Sequence, residues 1–164
     1  MMHRTRWQNL LLIAAAGAAV TWIVLRAVAG RGGMLPSVPG LVVAVELLIA
    51  AVVFSMGWAV RQFLRGKRPT LDPIRAARTA VLAKASCYTG ALLAGWYGGQ
   101  VLTLVSDLGV PGNGARAVAA GIAAGGAVVL AVVGLVVEWF CRVPPPEEGN
   151  EAARERPAPD PTAT

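Results

Sequence analysis

The chain reads as an all-α, polytopic integral membrane protein with four transmembrane helices and both termini in the cytoplasm. Three observations predict this: four long apolar runs, short links between them, and a lopsided placement of Lys and Arg across those links. The runs are Leu10–Ala29, Leu41–Val60, Ala85–Val105 and Ala117–Cys141. Each has about 20 residues or somewhat more, which at ~1.5 Å per residue matches a hydrocarbon core of ~30 Å. The charges inside them are Arg26, Glu46 and Glu138, and none of the runs carries the polar face that a soluble helix needs. Backbone groups in lipid must be satisfied within the segment, so the runs are read as helices and not as buried strands.

The first run follows Arg4 and Arg6 and contains Ala14-Ala15-Ala16-Gly17-Ala18-Ala19, a pattern also found in cleaved secretory signals. Its apolar character continues through Val20, Trp22, Ile23, Val24 and Leu25, which is too long for a signal core and predicts an uncleaved helix. Gly30–Gly33 and Pro36–Gly40 end this run and open the second. Asp72-Pro73 is an N-cap followed by proline at the first helical position, so a helix is expected to start there and continue through Ile74, Ala77 and Val81 into the third run. Pro111-Gly112-Asn113-Gly114 makes the turn into the fourth. The transmembrane domain is thus residues 1–143, with a basic loop over 61–84. A tail rich in Pro and Glu, 144–164, cannot bury a core and is predicted to be disordered.

Orientation follows from the 15 Lys and Arg residues. On one side lie Arg4, Arg6, Arg61, Arg65, Lys67, Arg68, Arg75, Arg78, Lys84, Arg142, Arg154 and Arg156; on the other lie only Arg26, Arg31 and Arg116. The first side is therefore read as cytoplasmic. The net charge of +6 is explained by topology and by contact with anionic lipids at the cytoplasmic face, and no nucleic-acid partner is expected. Trp7, Trp58, Trp139 and Phe140 fall at the same boundary, as an aromatic belt does.

Helices in lipid associate through close packing of small residues. The third run offers Ser86, Gly90, Ala94 and Gly98 at every fourth position, and beside them Cys87, Ala91, Gly95 and Gly99. The fourth offers Ala117, Gly121 and Gly125, with Ala119, Ala123, Ala127 and Ala131 one stripe over. A tight hairpin of these two runs is expected, or the same faces used between copies of the chain. By depth, Arg26 pairs with Glu46 near the outer face, and Glu138 with Lys84 or Arg142 near the inner one. Neutralisation near an interface is favoured over an ion pathway, because both acids lie toward helix ends.

Trp96, Tyr97 and Gln100, around Gly98-Gly99, admit two readings: an interrupted helix forming a small-molecule site, or a close helix contact flanked by rings. Cys87 and Cys141 fall on the reducing side, and His3 stands alone, so neither a structural disulfide nor a metal site is expected. No nucleophile–base set, phosphate-binding loop or paired carboxylates are visible in the sequence, and no cofactor is expected.

The stretch Ala83-Lys84-Ala85-Ser86, then Thr89-Gly90-Ala91-Leu92-Leu93-Ala94-Gly95-Trp96-Tyr97-Gly98-Gly99, with Glu138 before Cys141-Arg142-Val143-Pro144-Pro145, resembles a family of small actinobacterial membrane proteins catalogued as a domain of unknown function. The resemblance covers Arg4–Pro146. It implies a four-span protein of the cell membrane, with no assigned activity and no catalytic residues to carry over. The function expected is that of a non-enzymatic membrane scaffold or partner subunit, homo-oligomeric or bound to another membrane protein. The rival readings are a transporter or transport accessory with its site in the third run, and an enzyme acting on lipid headgroups through Arg78, Lys84 and Glu138.

Overall fold

The computed structural model describes residues 7–33, 36–64 and 73–141. They form four α-helices: α1 Trp7–Gly30, α2 Leu41–Leu64, α3 Pro73–Ser106 and α4 Asn113–Phe140. The Asp72 cap, the link residues Arg65, Lys67 and Arg68, the Arg142 partner and the 144–164 tail lie outside the described residues.

Length and composition suffice to cross a membrane in α1, in Leu41–Gln62 of α2 and in α4. The third expected span, Ala85–Val105, falls within α3. That helix is the longest, at 34 residues, but it mixes its apolar residues with Arg75, Arg78, Lys84 and a series of Ser, Thr, Gly and Gln. Composition alone therefore singles out three helices, not four.

Short turns set the helix ends. After α1 the chain turns on Gly32, at φ 74°, with the Gly33 N–H donating to the Val28 carbonyl at 3.0 Å. Between α3 and α4, the Val110 N–H donates to the Asp107 carbonyl at 3.1 Å, and the Asn113 side-chain amide donates to the same carbonyl at 2.9 Å. Gly112 stands just before α4 at φ 88°, a left-handed conformation that glycine adopts without a steric penalty. The α3/α4 hairpin is thereby closed at its tip by its own backbone.

The order across the molecule is α1, α3, α4, α2, which differs from chain order. Among the described residues α1 packs on α3 alone, and α2 rests on α4 and only grazes α3. Close contacts fix the directions. Gly95 faces Ala14, and Gly99 faces Ala18 and Thr21, so α1 and α3 run parallel. Gly126 faces Glu46, and Val137 faces Gly57, so α2 and α4 run parallel as well. Gly90 lies against Ala127 and Ala131, while Gly134 lies against Ala83 and Cys87, so α3 and α4 are antiparallel.

Each interface uses positions spaced alternately by three and four. The buried seam of α2 is Glu46, Ala50, Val53, Gly57 and Val60; that of α4 is Ala123, Ala127, Leu130, Gly134 and Val137. This spacing keeps one stripe facing a neighbour over several turns, as in helix bundles that cross at shallow angles. The outward faces are rich in large apolar side chains, among them Leu12, Ile23, Leu48, Val52, Ile122 and Val132. The interior holds alanines, glycines and the polar residues Thr21, Ser86, Gln100 and Thr103, together with Leu25, Val53, Leu130 and Val137.

Candidate functional site between α2 and α3

Because α2 leans on α4 and not on α3, a cleft of about 490 Å³ remains between α2 and α3. One wall is Val42, Val45, Glu46 and Ile49 of α2; the other runs along α3 from Leu82 through Ser86, Thr89 and Leu93 to Tyr97; Leu130 of α4 forms the floor. The α3 wall spans 16 residues, or ~22 Å along the helix. The cleft opens sideways, onto the surface where the large apolar side chains face outward.

The lining is apolar save for a few side chains whose capacities differ. Ser86 donates its hydroxyl to the Leu82 carbonyl one turn back, at 3.0 Å. It is therefore satisfied by its own helix, as hydroxyls in apolar helices commonly are. Glu46 is different. It is only 3 % exposed, and among the described residues neither carboxyl oxygen has a hydrogen-bond partner. Its Oε2 occupies the space beside Gly126 where any larger residue on α4 would place a side chain. The glycine thus makes room for the acid. A buried carboxyl without partners costs several kcal/mol, on the order of 2–7 for a neutral polar group and more for a charged one, so its retention on a packing seam calls for something that meets it.

The sequence-predicted residues distribute as follows. Arg26 does not meet Glu46. It lies exposed on α1, stacked over Trp22 at 5.6 Å from the ring centre, while Glu46 faces α4. Depth along the helices was matched, but α3 and α4 stand between α1 and α2. Trp96, Tyr97 and Gln100 do not converge: Trp96 is 44 % exposed on the outer face, Tyr97 lines the cleft, and Gln100 is buried with its Oε1 lacking a hydrogen bond among the described residues. The helix is not interrupted there; α3 is continuous through Gly95–Gly99, which corrects the broken-helix reading. Lys84 and Glu138 are half-buried at the same end of the α3/α4 hairpin, given that Gly134 sits against Ala83 and Cys87.

The expected packing stripe is partly turned. Gly90 makes a backbone contact with α4: a Cβ there would stand 2.6 Å from the Ala131 nitrogen and 2.7 Å from the Ala127 oxygen. Ser86 and Ala94 are buried and half-buried. Gly98, Gly121 and Gly125 have nothing within 4 Å of a Cβ position, and the last two lie on an exposed face. Their places are taken by Gly95 and Gly99 against α1, Gly126 against α2, and Gly134 against α3. Among the described residues no group of three or more His, Cys, Asp or Glu side chains could hold a metal ion, and Cys87 and Cys141 are both free thiols.

At the other end of α2, Arg61 sits 4.4 Å over the Phe140 ring centre and 5.6 Å from that of Trp58, joining α2 to α4 through an aromatic cluster that includes Phe54 and Trp139. Cation–ring contacts of this kind contribute about 0.5–2 kcal/mol, more where water is excluded.

The family model for DUF3180, described as a protein of unknown function, matches residues 10–145, and the chain belongs to that family. No curated protein and no solved structure matches the chain.

Proposed function

We propose that this member of DUF3180 is a four-span integral membrane protein of the cell membrane, with both termini cytoplasmic, that acts without catalysis as a scaffold or partner subunit for another membrane protein or a second copy of itself. The observation that carries this reading is the outer face of the bundle: it is covered with large aliphatic side chains, while the interior mixes alanines, glycines and polar residues with a few Leu and Val. In water such a surface would drive aggregation. In lipid it is the expected arrangement, because helices there are joined by close packing and hydrogen bonds, with little hydrophobic drive.

The same logic supports α3 as the fourth span. Its composition is the least apolar of the four helices, and it is the helix that touches all three others. A helix shielded by neighbours can carry Gly, Ser, Thr and Gln that a lipid-facing helix could not. The parallel pairing of α1 with α3 and of α2 with α4 supports an up-down-up-down path, and the cluster of Lys and Arg over 61–84 supports placing that link in the cytoplasm. The non-catalytic role is supported by the dispersal of the polar residues. Glu46 meets α4 at Gly126, which lies 12 residues, or ~18 Å, from Glu138 along that helix.

Cysteine labelling in whole cells tests the topology. With Cys87 and Cys141 replaced, a single cysteine at Ser37 or Leu108 should react with an impermeant reagent, and one at Thr70 should not; the reverse pattern would sink the orientation. Co-purification from the native membrane in mild detergent tests the role. A stoichiometric protein partner or a second copy supports a scaffold, whereas recovery of the chain alone with turnover of lipid headgroups would replace it with an enzyme.

A further inference from the structure

We infer that the cleft between α2 and α3 binds a single-chain amphiphile bearing a primary ammonium head, with the ammonium on Glu46 and the apolar chain along α3. This rests on the membrane reading above, since the cleft must open to lipid for such a molecule to enter.

Three features converge. First, Glu46 is 3 % exposed, lines the cleft, and has two oxygens without a hydrogen bond among the described residues. Second, it occupies a seam position between α2 and α4, where the rest of the seam is Ala50, Val53, Gly57 and Val60, and Gly126 opposite leaves room for it. An alanine or valine would close that seam more cheaply, so the acid has a role that packing does not explain. Third, apart from Ser86, Thr89 and Tyr97, the remaining lining is apolar, with Val42, Val45, Ile49, Leu82, Leu93 and Leu130 among it.

The chemistry of the head follows from the acceptor. A carboxylate offers two oxygens and no donor, and an ammonium supplies a positive charge and three N–H donors. An alcohol brings one donor and no charge, and a fatty acid brings a like charge. Burying an unpaired charge is far costlier than burying a paired one, so the ammonium head gains most from this site. The size of the tail follows from the volume. About 490 Å³ along a groove lies within the range of pockets for one small ligand, and suits one long chain better than a diacyl lipid.

The test uses the full chain in phosphatidylcholine nanodiscs, whose lipid head is a quaternary amine with no N–H. Photoreactive hexadecylamine is the probe; hexadecylamine, hexadecanol, hexadecanoic acid and a diacyl phosphatidylethanolamine compete with it. The amine should displace the probe at about tenfold lower mole fraction than the alcohol or the acid, since only the ammonium brings a charge-assisted hydrogen bond to the carboxylate. Cross-links should map to residues 39–49 and 82–97. Glu46→Gln should erase the preference for amine over alcohol, and Thr89→Phe, which fills the cleft from α3, should reduce labelling about tenfold. Equal competition by amine and alcohol overturns the inference, as do cross-links confined to other helices or a preference that survives Glu46→Gln. Stronger competition by the diacyl lipid overturns the single-chain assignment. Should Glu46→Gln fail to fold, the wild-type competition series and Thr89→Phe decide. The cysteine labelling in cells reads the topology separately, so a failed cleft with the expected topology sinks this inference alone.

Discussion

On the α1 flank of α3, glycines let two backbones touch: Gly95 lies against the Ala14 carbonyl, and Gly99 against Ala18 and Thr21. On the α2 flank, Leu82, Leu93 and Tyr97 hold the helices apart, and a cleft fills the space. Both flanks belong to one helix in one environment, so hydropathy does not separate them. What differs is residue size at a handful of positions. Helix α2 has a glycine of its own, Gly57, but spends that close approach on Val137 of α4. Closure on one side and a gap on the other follow from where the glycines fall.

The sharpest way to break this contrast is to enlarge a backbone-contact glycine. Gly90→Leu or Gly95→Leu should cost about 3 kcal/mol or more, because the new side chain meets backbone atoms that cannot rotate away. Thermal unfolding in detergent reads the effect, and unchanged stability for Gly95→Leu would remove α1 from its assigned place. Gly57→Ala should cost less, about 1–2 kcal/mol, since the nearest atoms to the Cβ belong to the Val137 side chain and not to backbone.

At the base of the hairpin, Lys84→Met and Glu138→Gln should each lower stability, and the double variant should recover part of the loss. A coupling of at least about 0.5 kcal/mol is expected if the two residues act together, and strict additivity would mean that each answers to other groups. Smallest of all should be Gly121→Ala and Gly125→Ala. Their Cβ atoms enter open space, so these changes should be neutral or stabilising by up to about 1 kcal/mol through helix propensity. Destabilisation by either would point to a partner seated on that face of α4.

The four helices were legible because run length and helix signals are local properties of the sequence, although only α1, α2 and α4 are apolar enough to span a membrane by composition. The start of α3 at Pro73 and the turn at Gly112 were legible for the same reason. The packing faces were not. With 19 glycines in the chain, small residues recur every fourth position on several faces at once, and spacing does not say which helix stands opposite. Gly98 and Gly121 satisfied the pattern, yet a Cβ there would meet nothing within 4 Å, while Gly126 lay outside it and faces Glu46. The Arg26–Glu46 pairing failed because depth alone supports it, and α1 and α2, though consecutive, do not touch among the described residues. A signal for Glu46 did exist: the series Glu46, Ala50, Val53, Gly57, Val60 repeats by four and three, and puts the acid on the same stripe as four small or aliphatic residues.

The separation of α1 from α2 also bears on how the protein is made. A ribosome delivers α1 first, yet its contact residues Ala14, Gly17 and Ala18 meet partners in α3 that are about 80 residues downstream. At roughly 5–20 residues per second, the proposed membrane reading would have both early helices wait several seconds in the bilayer with no mate. Each must be secure in lipid alone, and α1 and α2 are apolar enough for that. On the proposed four-span reading, α3 would enter with α1 already in place to receive it, which relaxes the demand on its own composition. The order of synthesis thus lets the least apolar helix of the four become the centre of the finished bundle.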